Sequence, residues 1–495
     1  MYKQDFVYKV SASTDSGSQK IFYIIVFASV LMAMLFGLFA VTANPIIISL
    51  AIALLAGTIL LARPAWIVWM TLLLGLLVVG TLPLHFDFIA SKAAWGVSLL
   101  GFFLMFIAFL GSATSPNRLK DTPVFIWVAL GFLVYALLNS LIQWHSAGEF
   151  LGGFKRYFQM WGLLFALCWL TFDEKNIHRW RVFFLIAALL QLPFALYELI
   201  VFVPQLRSTW GMAAVDVVAG TFGANMDGGG ASGEMAIFLI IMLAFLLTRR
   251  MEKLLSAAHL MLLIPFLLTP LLLGETKSVV IMLPLMFFIL YRHEMFVRFH
   301  YWLMGFVVVI FLSVATGFYY LSLSDRSIDK QLEATIDYNL KERGYGEVYL
   351  NRTTVITFWF KQQGAHDPVS LMFGNGLGSS NVAGHIAKRY TGSGIGLTAA
   401  STLLWEMGLF GFGLFIAILV FAWRCALRLQ RESTVPLVRA DACAIQAALA
   451  LFAFLLFYRV SLLELTSIQV VFAALLGYLA WLHRRHSFTL VDDGS

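Results

Sequence analysis

An all-α bundle of transmembrane helices is the fold this sequence predicts, and three observations predict it. The 495-residue chain is 60% hydrophobic and only 12% charged, with a mean hydropathy of +0.85, which is more apolar surface than a water-soluble core of that size takes in. The apolar residues come in runs long enough to cross about 30 Å of hydrocarbon. The density of Lys and Arg alternates from one connection between runs to the next, as it does in polytopic membrane proteins.

The runs fall near residues 21–43, 45–62, 65–83, 94–111, 123–139, 157–172, 180–203, 233–248, 255–273, 276–291, 301–323, 400–423, 441–459 and 464–482, about 14 spans at roughly 20 residues each. Polar residues precede the first run and no small-residue cleavage site closes it, so it reads as a retained span rather than a cleaved signal. Residues 1–495 read as one integral membrane domain, interrupted by a single long hydrophilic segment, 324–399. Cys168, Cys425 and Cys443 lie in or beside apolar runs without CxxC spacing, so neither a zinc site nor a disulfide framework is indicated.

With the amino terminus on the inner side, most of the 34 Lys and Arg fall in inner connections, among them Arg63, Arg118, Arg181, Arg249, Arg439 and Arg484. The short outer connections hold Lys92, Lys155, Arg156, Arg207, Lys277 and Arg459. Both termini therefore read as cytoplasmic and the 324–399 loop as extracytoplasmic. The net charge of +7 is explained by this topology, so nucleic acid is not an expected partner. The inner connections are too short for a nucleotide-binding domain, and GETKSVV at 274–280 lacks the glycine-rich run of a phosphate loop. No internal repeat of the kind that builds many secondary transporters is visible.

Chemistry concentrates in the outer connections. Lys155 and Arg156 close NSLIQWHSAGEFLGGFKRYFQ, either as interfacial anchors or, for Arg156 at a helix start, as a ligand-binding group. Arg207 sits in a glycine-rich connection with Asn225 and Asp227; it is either a flexible loop or an oligosaccharide or phosphate cradle, helped by the amides that open the next helix. Lys277 lies just inside an apolar run beside Glu275, as a helix-end ion pair or a functional charge at membrane depth. In the long loop, NRTTVITFWFKQQ spaces Val355, Phe358, Trp359 and Gln362 at helical intervals, which predicts an amphipathic helix with Arg352 at its start. The step His366–Asp367–Pro368 is of the kind that ends a helix. Further on, MFGNGLGSS places Gly374, Gly376 and Gly378 at alternate positions. That pattern permits tight turning and exposed amides, and is no dinucleotide fingerprint because no strand and crossover helix frame it.

Taken in order, four elements resemble the bacterial O-antigen polymerase and O-antigen ligase family: LRSTW to GTFGANM with Arg207, GETKSVV with Lys277, NRTTVITFW with Arg352, and FGNGLG to LLWEMGLFGFGLF with Glu406, Gly408 and Gly411. The resemblance spans roughly residues 200–415. It implies an integral membrane glycosyltransferase whose donor is a glycan linked to undecaprenyl diphosphate, acting without metal, nucleotide or other cofactor. On that resemblance Arg207 and Arg352, with Arg156 or Lys277, bind the diphosphate. Arginine forks suit an anchor that is also the leaving group. Many family members carry a His-Asn pair shortly before the glutamate, where this chain has Leu397 and Thr398. The nearest histidine is His385, which either reaches in as base or is not used. Glu406 is a secondary catalytic candidate.

The expected function is therefore a polysaccharide polymerase of the bacterial cytoplasmic membrane. It would transfer a lipid-linked glycan, with inversion, onto another lipid-linked repeat unit at the outer face, among membrane lipids and alongside a chain-length regulator or other assembly proteins. Two alternatives stand beside it: a ligase delivering finished glycan to lipid A core or protein, and a transporter or flippase of a lipid-linked glycan. Arg459 and Glu464, at the outer ends of the last two spans, fit either scheme.

Overall fold

The structure is a computed structural model and describes residues 63–82, 87–206, 217–225, 230–274, 276–297, 350–364, 366–390 and 394–492, with a few single positions elsewhere. The runs expected at 21–43, 45–62 and 301–323 lie outside the described residues apart from such single positions, as do 324–349, Arg207 and Asp227.

Every regular element among the described residues is helical. In chain order these are α1 (Pro64–Leu73), α2 (Asp87–Thr114), α3 (Val124–Ile142), α4 (Ala147–Phe158), α5 (Trp161–Trp169), α6 (Glu174–Val201), α7 (Ser232–Met251), α8 (Ala257–Leu273) and α9 (Val279–Val297). Three short helices follow within the hydrophilic segment: α10 (Thr354–Gln363), α11 (Pro368–Phe373) and α12 (His385–Arg389). The chain then closes with α13 (Ala399–Glu432), α14 (Pro436–Tyr458) and α15 (Thr466–Asp492). Seven helices among the described residues are long and apolar enough to cross a membrane: α2, α3, α6, α7, α13, α14 and α15. Shorter apolar helices cover Pro64–Val78, Ala257–Leu273 and Val279–Arg292.

The span expected at 157–172 takes a different form. Its residues divide between the end of α4 and α5, which has nine residues, all buried; at 1.5 Å per residue α5 reaches only about 14 Å. Ser146 caps α4 by accepting the amide of Glu149 at 3.3 Å. The break after Phe158 is held by buried Gln159. Its amide donates to the Glu464 carbonyl at 3.0 Å, and its oxygen accepts from Ser98 at 2.8 Å and Thr466 at 3.3 Å. Arg156 therefore does not begin the next span; it ends a separate helix.

α13 packs along α14 and α3, α5 along α15 and α2, and α7 along α14 and α8. The helix ends sort the charges into two groups. Where α6 and α14 begin and α7 and α15 end, buried Asp441 is clasped by Arg249 (3.0 Å), Arg181 (3.2 Å) and the Tyr478 hydroxyl (2.7 Å). Arg439–Glu252 and Arg485–Glu174 pairs lie at the same end. The opposite end, where α3 and α14 finish and α7, α13 and α15 begin, carries the groups described next.

Candidate functional site

Glu406 is fully buried, two turns into α13, and it organises the site. One carboxylate oxygen accepts from the Arg156 guanidinium at 3.3 Å, from the Ser380 hydroxyl at 2.6 Å and from the Ser380 amide at 3.3 Å. Arg156, itself 8% exposed, also pairs with Glu464 in the single turn Ser461–Glu464 between α14 and α15. Its own carbonyl accepts from the buried Gln469 amide. One guanidinium thus joins carboxylates from two segments that are far apart in sequence, the bidentate role for which arginine is suited.

The glycine-rich stretch is what brings Ser380 to Glu406. Gly374, Gly376 and Gly378 have φ of +75°, +85° and +83°, a region that side chains with a Cβ rarely enter. The stretch lies against a break in α13 at Gly408, whose φ is +64° and ψ −169°. There the Gly376 amide donates to the Glu406 carbonyl at 2.9 Å and the Asn375 amide to the Trp405 carbonyl at 3.0 Å. α3 supplies the opposite wall. Tyr135 donates to the Met407 carbonyl at 2.8 Å, Ser140 accepts from the Leu377 amide at 3.0 Å, and Gln143 donates to the Gly374 carbonyl. The Gly374 amide goes to the Ser370 carbonyl. The amides of Gly374 and Gly376 therefore serve the protein's own carbonyls, so these two glycines shape the loop and do not present their amides to a ligand.

A second cluster adjoins it. The Arg352 guanidinium stacks over the Tyr458 ring at 4.1 Å from its centroid, and the next residue, Arg459, donates to buried Glu234 at 2.9 Å and to the Gly230 carbonyl at 3.3 Å. The Arg459 carbonyl accepts from the Ala399 amide at 3.1 Å, which joins this cluster to the start of α13. Glu234 lies in the first turn of α7, so a carboxylate and an arginine already occupy the helix start expected to cradle an anion. Asn225 and Lys277 are exposed. The Ala231 amide donates to the Gly223 carbonyl at 2.9 Å, and Thr276, beside Lys277, approaches Gly233.

His385 opens α12 and donates or accepts through Nδ1 with Glu149 at 2.7 Å, while its ring stacks on that of His145 at 4.5 Å between centroids. The Ser379 carbonyl accepts from the Ile386 and Ala387 amides, tying α12 to the loop that holds Ser380. Thr398, where the resemblance expects a His-Asn pair, is the N-cap of α13 and forms a reciprocal cap with Ser401.

The helix expected from NRTTVITFWFKQQ is α10, but its buried face is Val355, Trp359 and Gln363. Phe358 is half-buried and Gln362 exposed, because the helix packs into an apolar roof with Ile386, Ile395 and Trp405. α10 ends at Gln363, just before the step at 366–368, and Asp367 caps the next helix, α11. Ser380, Glu149 and the α3 groups Tyr135, Ser140 and Gln143 were not marked by sequence reasoning. The S-x-x-E spacing of Ser146 and Glu149 was a legible signal for a helix start there.

No protein-family model matches the chain, and no match to it is found among curated proteins.

Proposed function

We propose that the protein is a membrane glycosyltransferase that polymerises a polysaccharide from undecaprenyl diphosphate-linked repeat units. The observation that carries this reading is the Arg156–Glu406–Ser380 network, set at the same end of the bundle as Arg352 and Arg459 and beneath the roof of short helices. A lipid-linked donor asks for cationic forks at the level of its diphosphate, and for little else in the way of covalent help.

On this reading Glu406 and Glu464 hold the Arg156 guanidinium, and Arg352 is held in place by Tyr458. On the resemblance to the polymerase and ligase family, Arg207 is the third diphosphate-binding arginine. The acceptor hydroxyl attacks the anomeric carbon of the donor in one displacement. The bond from that carbon to the diphosphate oxygen breaks, and the departing diphosphate takes up the charge that the arginines stabilise. His385, oriented by Glu149, accepts the hydroxyl proton. Glu406 acts as a positioning residue. Exposed Asn225 and Lys277 fit a sugar- or phosphate-binding rim, with Gly374, Gly376 and Gly378 giving the loop its turn.

The test is reconstitution of purified protein in lipid with a diphosphate-linked repeat unit and no nucleotide. A ladder of longer lipid-linked glycans is expected, and Arg207→Lys, which keeps charge but loses the fork, should shorten it. Folded protein that makes no ladder from an authentic repeat unit would overturn the polymerase reading and leave transfer to a terminal acceptor as the next assay.

A further inference from the structure

We infer that His145, Glu149 and His385 form a binding site for a divalent transition-metal ion of the zinc class. The three residues come from two segments, the connection into α4 and the start of α12, and one ligand atom from each lies within 4.8 Å of the others. Two imidazole nitrogens with one carboxylate oxygen are a donor set that zinc and its first-row neighbours accept. Bonds of roughly 2.1 Å at tetrahedral angles place ligand atoms about 3.4 Å apart. The 2.7 Å separation of His385 Nδ1 from Glu149 Oε1 is shorter than that, so this pair must open by a side-chain rotation to admit an ion.

The carboxylate is already oriented. Its second oxygen, Oε2, accepts from the His385 backbone amide at 3.3 Å, an outer contact of the kind that aims a metal ligand. Glu149 is further fixed by its place in the first turn of α4, whose cap is Ser146. The rings of His145 and His385 come from separate segments and stack with planes 29° apart, so His145 must turn out of the stack for both rings to aim a nitrogen at one ion. His145 is exposed and the other two are half-buried. Three protein ligands with an exposed side leave a coordination position open to water. Binding through His385 Nδ1 needs the neutral ring with its proton on Nε2 and an ionised Glu149, and the ion then takes the place of the hydrogen bond between them.

The site has a functional corollary that rests on the reading above. An ion on His385 competes with proton acceptance by the same ring, and it also clamps α12, and through Ser379 the Ser380 loop, against α4. The ion is therefore an inhibitor of transfer and not a participant.

The experiment uses the full-length protein in detergent, stripped with chelator, titrated with Zn2+ by calorimetry and checked for bound metal by mass spectrometry. Near-stoichiometric binding is expected, weakened by about 100-fold in His145→Asn and in His385→Gln. His145→Asn changes an exposed side chain, so it reports on the site in a folded protein. Absence of binding by the wild-type protein, or equal binding by His145→Asn, would overturn the site. This readout needs no glycan donor. In the polymerisation assay, Zn2+ should inhibit the wild type and not His145→Asn, each measured against its own metal-free activity. Failure of polymerisation without zinc would count against the enzyme reading alone, while zinc binding with undiminished activity would overturn the inhibitory corollary.

Discussion

Gly374 and Gly408 meet backbone to backbone. A Cβ on Gly374 would fall inside van der Waals contact with the Glu406 carbonyl, and one on Gly408 would do the same to the Met372 carbonyl and the Gly374 amide. Both residues also have positive φ. This contact lets the loop lie in the break of α13 and brings the Ser380 hydroxyl to Glu406.

Gly374→Ala and Gly408→Ala should therefore each lower stability by about 2 kcal/mol or more, from the disfavoured backbone conformation and from the clash together. Gly413, in the same helix, has open space around its Cβ position, and Gly413→Ala should be neutral or stabilising by up to about 1 kcal/mol. Thermal unfolding in detergent separates them; equal midpoints for Gly374→Ala and Gly413→Ala would contradict the packing.

Arg156 bridges Glu406 and Glu464 through two different guanidinium nitrogens, a planar fork that a lysine ammonium does not reproduce. Arg156→Lys should reduce polymerisation by about 100-fold per folded molecule, the scale for losing one charge-stabilising donor, while folded yield falls less than in Arg156→Ala. Retained turnover in a properly folded Arg156→Lys protein would remove Arg156 from the reaction.

At the other end of the bundle, Asp441 is fully buried while Arg181 and Arg249 are 20% and 26% exposed. Removing one member of a buried ion cluster costs about 3–5 kcal/mol, and partial exposure of the arginines reduces that to about 2 kcal/mol. Asp441→Asn should thus lower the unfolding midpoint without altering zinc binding at the far end. A midpoint equal to wild type would show that the cluster contributes little.

Asp367 caps α11, and the hydrogen bonds from Ser370 hold its carboxyl below the usual aspartate range. Because the folded value is lowered, the cap's contribution is present above the unfolded value and is lost as pH falls through the folded one. Protection of residues 368–373 against hydrogen exchange, compared at matched intrinsic rates, should fall as the pH drops below about 4, and Asp367→Ala should abolish that dependence. An unchanged profile in the variant would assign the pH effect to another group.

Much of the helical framework was legible in the sequence because its cause is local. Twenty or so apolar residues in succession predict a span wherever they occur, and the expected runs at 94–111, 123–139, 180–203, 233–248, 400–423, 441–459 and 464–482 each coincide with a long helix. The exception at 157–172 shows what hydropathy misses. A buried glutamine that finds partners in α2 and in the start of α15 ends one helix and begins another, and no window of neighbouring residues contains those partners.

By itself, the sequence determined that the protein is a membrane bundle, that its basic residues divide between two sets of connections, and that residues such as Arg156, Arg352, His385 and Glu406 stand out chemically. Only the tertiary structure decided their partners. Arg156 and Glu406 are 250 positions apart and Glu149 and His385 are 236 apart. Pairings over such separations arise from how helices pack and where one of them breaks. Periodicity and composition report on a turn or two of chain at a time, whereas a carboxylate in a bundle takes whichever cation the surrounding packing brings within reach.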